Sequence, residues 1–165
     1  MTRVVVMGVA GAGKSTVGPL VAQRLGVPFV DADDLHDEAS RDRMQRGEAL
    51  TDAQRAPWLA RVHDALVAAD DGVVVGCSAL TPAHRAVLRG DLTDVHFVDL
   101  VVTPAELERR LESRTGHFAG PDLLPSQLRT LEVDDRVATV DGEQPPATVA
   151  DAVLAALGAM PDPAG

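Results

Sequence analysis

The chain has 165 residues and a formal net charge of −10, with 45% hydrophobic and 24% charged residues, a balance that suits one globular domain. The acidity excludes a general nucleic-acid binder, which would carry the opposite sign, and three Phe, one Trp and no Tyr leave little to stack on single-stranded bases. No apolar run approaches the about 18 residues that a membrane span needs, and the apolar stretch after Met1 is too short for a signal peptide. A single cysteine, Cys77, allows no internal disulfide and fits a reducing cytoplasm.

Residues 3–7 read as a strand buried on both faces, residues 8–13 as a glycine-rich turn and residues 14–25 as a helix. A short strand at 27–30 closes in an acidic cluster. Helices are expected at 34–46 and 51–69, the second opening on Thr51 as its N-cap. A valine strand at 72–76 leads to a helix at 82–89, then a strand at 95–102 and a helix at 104–114 with Pro104 in its first turn. Residues 115–125 carry two Gly and two Pro and read as a mobile loop. A helix at 126–131, a strand at 137–140 and a closing helix at 148–157 complete the pattern, and residues 161–165 read as a frayed tail. Short β-branched runs alternating with helices predict an α/β fold with a five-stranded parallel sheet in a three-layer α/β/α arrangement. Residues 1–160 form one domain, without internal repeat or linker.

Gly8-Val9-Ala10-Gly11-Ala12-Gly13-Lys14-Ser15 fits G-x-x-x-x-G-K-[ST] in full, and it follows a buried strand and opens a helix. The glycines let the backbone curl so that successive N–H groups, Ala10 to Gly13 among them, turn towards phosphate oxygens. The helix that follows adds its positive end. Lys14 can reach the β- and γ-phosphates of ATP, Ser15 can place its hydroxyl on Mg²⁺, and Thr16 offers a second hydroxyl near the α-phosphate. A dinucleotide fingerprint has no lysine where Lys14 stands. No N/T-K-x-D tetrad of the kind that reads guanine is present.

The strand at 27–30 runs into Asp31-Ala32-Asp33-Asp34-Leu35-His36. In a parallel sheet, catalytic groups gather at C-terminal strand ends beside the phosphate loop. Of Asp31 and Asp33, one can help hold hydrated Mg²⁺ and the other can accept the proton of an attacking hydroxyl. The alternative is helix N-capping by Asp33 or Asp34, with Asp34 the better candidate for a cap. An acidic chain can bind an anionic substrate only where Lys, Arg and backbone N–H groups cluster, and guanidinium forks grip carboxylates bidentately.

The ordered segments extend well past the loop. They include Asp31-Ala32-Asp33 with His36, Met44-Gln45-Arg46-Gly47-Glu48-Ala49-Leu50, Asp52-Ala53-Gln54-Arg55-Ala56-Pro57-Trp58-Leu59, Cys77-Ser78-Ala79-Leu80 with Arg85, Arg114-Thr115-Gly116-His117-Phe118, and Leu123-Leu124-Pro125-Ser126-Gln127. In these the chain resembles the gluconate kinases of the shikimate-kinase-like P-loop group, over most of its length to about Glu132. The resemblance implies transfer of phosphate from ATP to the 6-hydroxyl of D-gluconate, giving 6-phosphogluconate. It implies Asp33 as the base and Asp31 near the metal. It further implies His36, Arg55 and Arg85 on the sugar acid, and Arg110 and Arg114 on ATP as part of a lid at about 114–126. His117 has two readings, a contact to the transferring phosphate or packing of the lid. Trp58 reads as core packing and Cys77 as a small buried hydrophobe. A homodimer is also implied. The chain departs from the family pattern at Ala32, Ser40, Ala49, Thr81, His84, Ala119 and Val133. Two rival readings are a kinase for another hydroxy acid or polyol, such as shikimate, and a nucleotide-binding regulator that transfers nothing.

Overall fold

A computed structural model describes residues 2–114 and 123–160. Five strands form one sheet: β1 (Arg3–Met7), β2 (Phe29–Asp31), β3 (Val73–Gly76), β4 (Val95–Val101) and β5 (Val137–Asp141). All pairings are parallel and the spatial order is β2-β3-β1-β4-β5. The central β1 and its neighbour β3 are buried at every residue. That is why they read as uninterrupted valine runs with no polar alternation.

Successive β1 side chains point to opposite faces and so feed two cores. Val4 and Val6 pack with Val17 and Val21 of α1 (Lys14–Leu25), Leu107 of α5 (Pro104–Glu112) and Val149 and Val153 of α7 (Pro146–Ala159). Val5 and Met7 pack with Trp58, Val62 and Leu66 of α3 (Asp52–Val67) and Leu88 of α4 (Pro82–Arg89). This gives the α/β/α layering expected from the sequence. The remaining helices are α2 (Glu38–Gln45) and α6 (Leu124–Thr130). Among the described residues no helix is long and apolar enough to cross a membrane.

Element boundaries differ from the sequence reading where a polar side chain cuts the backbone. The helix expected at 34–46 is split into a 3₁₀ turn, Ala32–Leu35, and α2. Asp31 caps the first by accepting from Asp33 N–H at 3.0 Å, and Asp37 caps the second by accepting from Ser40 N–H at 2.7 Å. Asp34, the expected cap, serves neither helix. His36 falls in the extended link between them and is turned inward, 9% exposed. Thr51 is the N-cap of α3, in a reciprocal capping box with Gln54. The helix expected from Ser126 begins at Leu124, and the closing helix begins at Pro146, each with Pro in its first turn. The lid expected at 114–126 and the tail at 161–165 lie mostly or wholly outside the described residues, as does His117.

At the N-terminal edge of the sheet Arg3, 6% exposed, ties β1 to the second layer. Its guanidinium donates to Leu66 O at 2.7 Å, Ala69 O at 3.0 Å and Asp94 Oδ2 at 2.6 Å. Arg3→Met strands these acceptors, and urea denaturation is expected to show a loss of about 2–4 kcal/mol. A loss below about 0.5 kcal/mol would mean that the tie is redundant.

Candidate active site

The sheet aligns its catalytic edge by register. Asp31 of β2 pairs with Gly76 of β3, which pairs with Val6 of β1. The Gly8–Ser15 loop leaves β1 just beyond that line. Gly8 (φ 144°) and Gly13 (φ 106°) take left-handed conformations, and a Cβ on Gly8 would lie 2.9 Å from the Ala12 Cβ and 3.3 Å from Leu100 O. No other residue fits there without moving the backbone.

Lys14 folds back over the loop, donating from Nζ to Gly8 O and Val9 O, both at 2.9 Å. Burial pulls its pKa down, and the Asp33 carboxylate opposes that. Ser15 Oγ donates to Asp31 Oδ2 at 2.6 Å. The loop is braced from both sides. Gln127 Oε1 of α6 accepts from Ala10 N–H at 2.6 Å. Arg110 of α5 donates to Gly11 O at 3.2 Å, Ala12 O at 3.4 Å and Gly142 O at 2.9 Å.

Opposite the loop, the 32–36 backbone is pinned by three side chains that the sequence reading did not assign to this task. Trp58 Nε1–H donates to Ala32 O at 2.6 Å, Arg61 Nε–H to Leu35 O at 2.7 Å, and Arg41 to Asp33 O and His36 O, both at 3.3 Å. Burial pushes the Asp33 carboxyl up to about 6 against the pull of Lys14, with Asp31 adding repulsion. The His36 ring stacks on Trp58, centroids 4.2 Å apart and planes 11° from parallel. Burial, then Arg61 and Arg41, hold its pKa down to about 4, so the ring is neutral at neutral pH.

One cavity gathers Lys14, Ser15, Asp33, His36, Arg55 and Arg114, with Ala10, Gly11 and Gly13 along the loop wall. This is the local positive cluster that an acidic chain needs for an anionic ligand. Trp58, Ser78 and Gln127 also line it. Ser78 and Gln127 stood in recognisable segments, but nothing in their residue type marked them as lining a site.

Six expected site residues among the described ones do not line this cavity: Gly8 and Ala12 of the loop itself, and four others. Arg85 was expected on the substrate but is 4% exposed and turned to other partners, donating to Ala79 O at 2.9 Å, Glu132 O at 2.8 Å and Asp134 Oδ2 at 3.0 Å. It holds the bend after β3, where Ala79 takes a left-handed φ of 44°. Arg110 clasps the outer side of the loop and does not line the cavity. Thr16 is exposed in the first turn of α1, and Asp31 touches the cavity through Ser15 and Asp33, which it hydrogen-bonds. Cys77 is buried, its thiol pushed up to about 12 by desolvation, which leaves it inert as a nucleophile.

A phosphate loop whose lysine and hydroxyl converge with a strand-end carboxylate pair defines a phosphoryl-transfer enzyme of the P-loop class. The shikimate kinase family model matches residues 10–150. A gluconokinase from Gluconobacter oxydans is 47% identical, the match covering 91% of this chain and 88% of that protein. A gluconokinase crystal structure from Sinorhizobium meliloti superposes with a TM-score of 0.85 at 41% identity, covering 95% of this chain and 91% of that one. A sugar kinase structure from a Janibacter species gives 0.88 at 38% identity, covering 100% and 99%. The chain belongs to the gluconokinase family, within the shikimate-kinase-like P-loop kinases.

Asp99 of β4 is a buried carboxyl beside the loop, 3% exposed, whose Oδ1 meets no hydrogen-bond partner among the described residues. Burial raises its pKa from 3.8 to about 6, against the pull of Lys14 and Arg85. Because the folded pKa is the higher one, the favourable contribution is complete below pH 3.8 and is lost as pH rises through 6. Relative to Asp99→Asn, the wild type is therefore expected to gain about 2–3 kcal/mol in urea denaturation between pH 7.5 and pH 4. Parallel stability curves for the two proteins would place the ionised carboxylate in a solvated site instead.

Proposed function

We propose that this kinase transfers the γ-phosphoryl group of ATP to the 6-hydroxyl of D-gluconate, giving ADP and 6-phosphogluconate. The observation that carries this reading is the shared cavity: Asp33, the phosphate-loop lysine, and Arg55 with His36 all open onto one space. The gluconokinases among the relatives support the choice of substrate.

The loop amides and Lys14 bind the phosphate tail. In the structure Lys14 spends its hydrogen bonds on Gly8 O and Val9 O, and an arriving phosphate offers it a charged partner instead. Arg55 receives the carboxylate of the sugar acid, and neutral His36, rigid on Trp58, takes a hydroxyl. That orients the far end of the substrate towards Asp33. The Asp33 carboxylate, a base poised near neutrality, takes the proton of the 6-hydroxyl as the oxygen bonds to the γ-phosphorus and the bond to the β–γ bridging oxygen breaks. Arg114 and Lys14 offset the charge on the transferring group. Ser15 Oγ and Asp31 Oδ2, already 2.6 Å apart, are oxygen donors suited to Mg²⁺, which keeps most of its waters and needs few protein ligands. When bound, that ion neutralises phosphate charge.

We assign residues 1–160 to one catalytic domain and the 114–126 segment, with Arg114 at its start, to a lid that excludes water during transfer. A cytoplasmic location and a homodimer complete the reading.

Steady-state assays with ATP, Mg²⁺ and a panel of gluconate, other aldonates, polyols and shikimate test it directly. Gluconate is expected to be the preferred acceptor, and turnover of shikimate without gluconate would overturn the assignment. Lys14→Ala and Asp33→Asn are each expected to lower kcat by about two or more orders of magnitude. Wild-type kcat in Asp33→Asn would remove Asp33 as the base.

A further inference from the structure

Arg55 has five N–H donors, and the structure accounts for three. Nη1 donates to Asp52 Oδ1 at 3.0 Å and lies 3.4 Å from His84 Nε2, while Nη2 donates to Leu50 O at 3.0 Å. The Nε hydrogen and one Nη2 hydrogen have no protein acceptor among the described residues. Arg55 lines the cavity, and two remaining donors are what a two-pronged grip on a carboxylate there would use.

The three tethers are not equal. Asp52 is 98% exposed on its side chain, so its ion pair is screened and weak. Leu50 O fixes one nitrogen only. His84, 8% exposed on α4, is the buried partner on the other. Arginine can only donate, so His84 Nε2 accepts and its proton sits on Nδ1. Burial, then the guanidiniums of Arg55 and Arg85, hold the imidazole's pKa below its usual value against the pull of Asp52, which keeps the ring neutral and able to accept. Behind the pair lies a second depression, lined by Arg55, His84, Asp52 and Glu132. Without its inner tether the guanidinium has room, and two carboxylates, to turn towards there.

We propose that His84 is a positioning residue for substrate binding: it holds the Arg55 fork so that its free edge serves the carboxylate of the sugar acid. This rests on Arg55 being the anchor for that carboxylate. The hydrogen bond to His84 contributes order, not charge, so its loss weakens capture of the acid while the transfer step continues once the substrate is bound.

The test is steady-state kinetics of His84→Leu, His84→Gln, Arg55→Ala and the double variant Arg55→Ala/His84→Leu, with gluconate and ATP varied separately. His84→Leu is expected to raise the gluconate KM about tenfold with kcat and the ATP KM within about twofold. Gln places an amide oxygen near the position of Nε2, so His84→Gln is expected to stay within about threefold of wild type in gluconate KM. The double variant is expected to add nothing to Arg55→Ala, because the two side chains act as one unit. The proposal is overturned if His84→Leu leaves the gluconate KM unchanged. It is likewise overturned if His84→Gln is as impaired as His84→Leu, if kcat and the ATP KM deteriorate in step with the gluconate KM, or if the effects of Arg55 and His84 simply add. An Arg55→Ala protein with wild-type gluconate KM would instead remove Arg55 as the anchor, and the role of His84 with it.

Discussion

A phosphate loop presents backbone amides, and backbone amides are only as well placed as the chain that carries them. The Gly8–Ser15 loop can curl around an anion because β1 before it is clamped on both faces by apolar layers and α1 after it is packed into one of them. The loop itself is a run of glycine and alanine with almost no side chains of its own to hold it. Its shape is supplied from outside, by Gln127 on one flank and Arg110 on the other. The same logic applies across the cavity, where the 32–36 backbone is fixed by Trp58, Arg41 and Arg61. Several of the polar residues around the cavity serve to keep these two stretches of backbone still.

The sheet explains why the two stretches face one another. Parallel strands bring all their C-terminal ends to one edge, and β3 between β1 and β2 sets their separation. Gly76 at the end of β3 has no side chain, and a Cβ there would meet the Phe29 ring at 3.2 Å and the Lys14 Cβ at 3.6 Å. The lysine and the acidic strand tip can approach because that position is empty. Lys14 and Asp33 then oppose one another's burial.

The legible part of this protein was the part governed by local chemistry. The valine runs, the glycine loop and the Thr51 capping box each declare themselves within a few residues, and the strands and helices follow from them. The loop lysine and hydroxyl and the Asp31–Asp33 pair were legible for the same reason. The arginines were legible only in part: Arg55 and Arg114 line the cavity, while Arg85 and Arg110 do not. Arg55, Arg85 and Arg110 are chemically identical in sequence, yet one lines the cavity, one supports a strained bend at Ala79, and one grips the outside of the phosphate loop. What separates them is which carbonyl or carboxylate lies within reach after folding, often more than forty residues away in the chain, as with Arg85 and Glu132. The break that turns His36 inward was missed because Asp31 and Asp37 compete with the helix for backbone N–H groups, a contest that a helical pattern does not reveal.

The stacking of His36 on Trp58 carries a practical corollary. Trp58 is the chain's single indole, so any emission from tryptophan comes from one ring in the wall of the cavity. A protonated imidazole in face contact is an efficient quencher of indole emission, and a neutral one is not. Because burial and the nearby arginines hold this imidazole's pKa down to about 4, the indole escapes that quenching at neutral pH, and its emission falls only as acid protonates the ring beneath it.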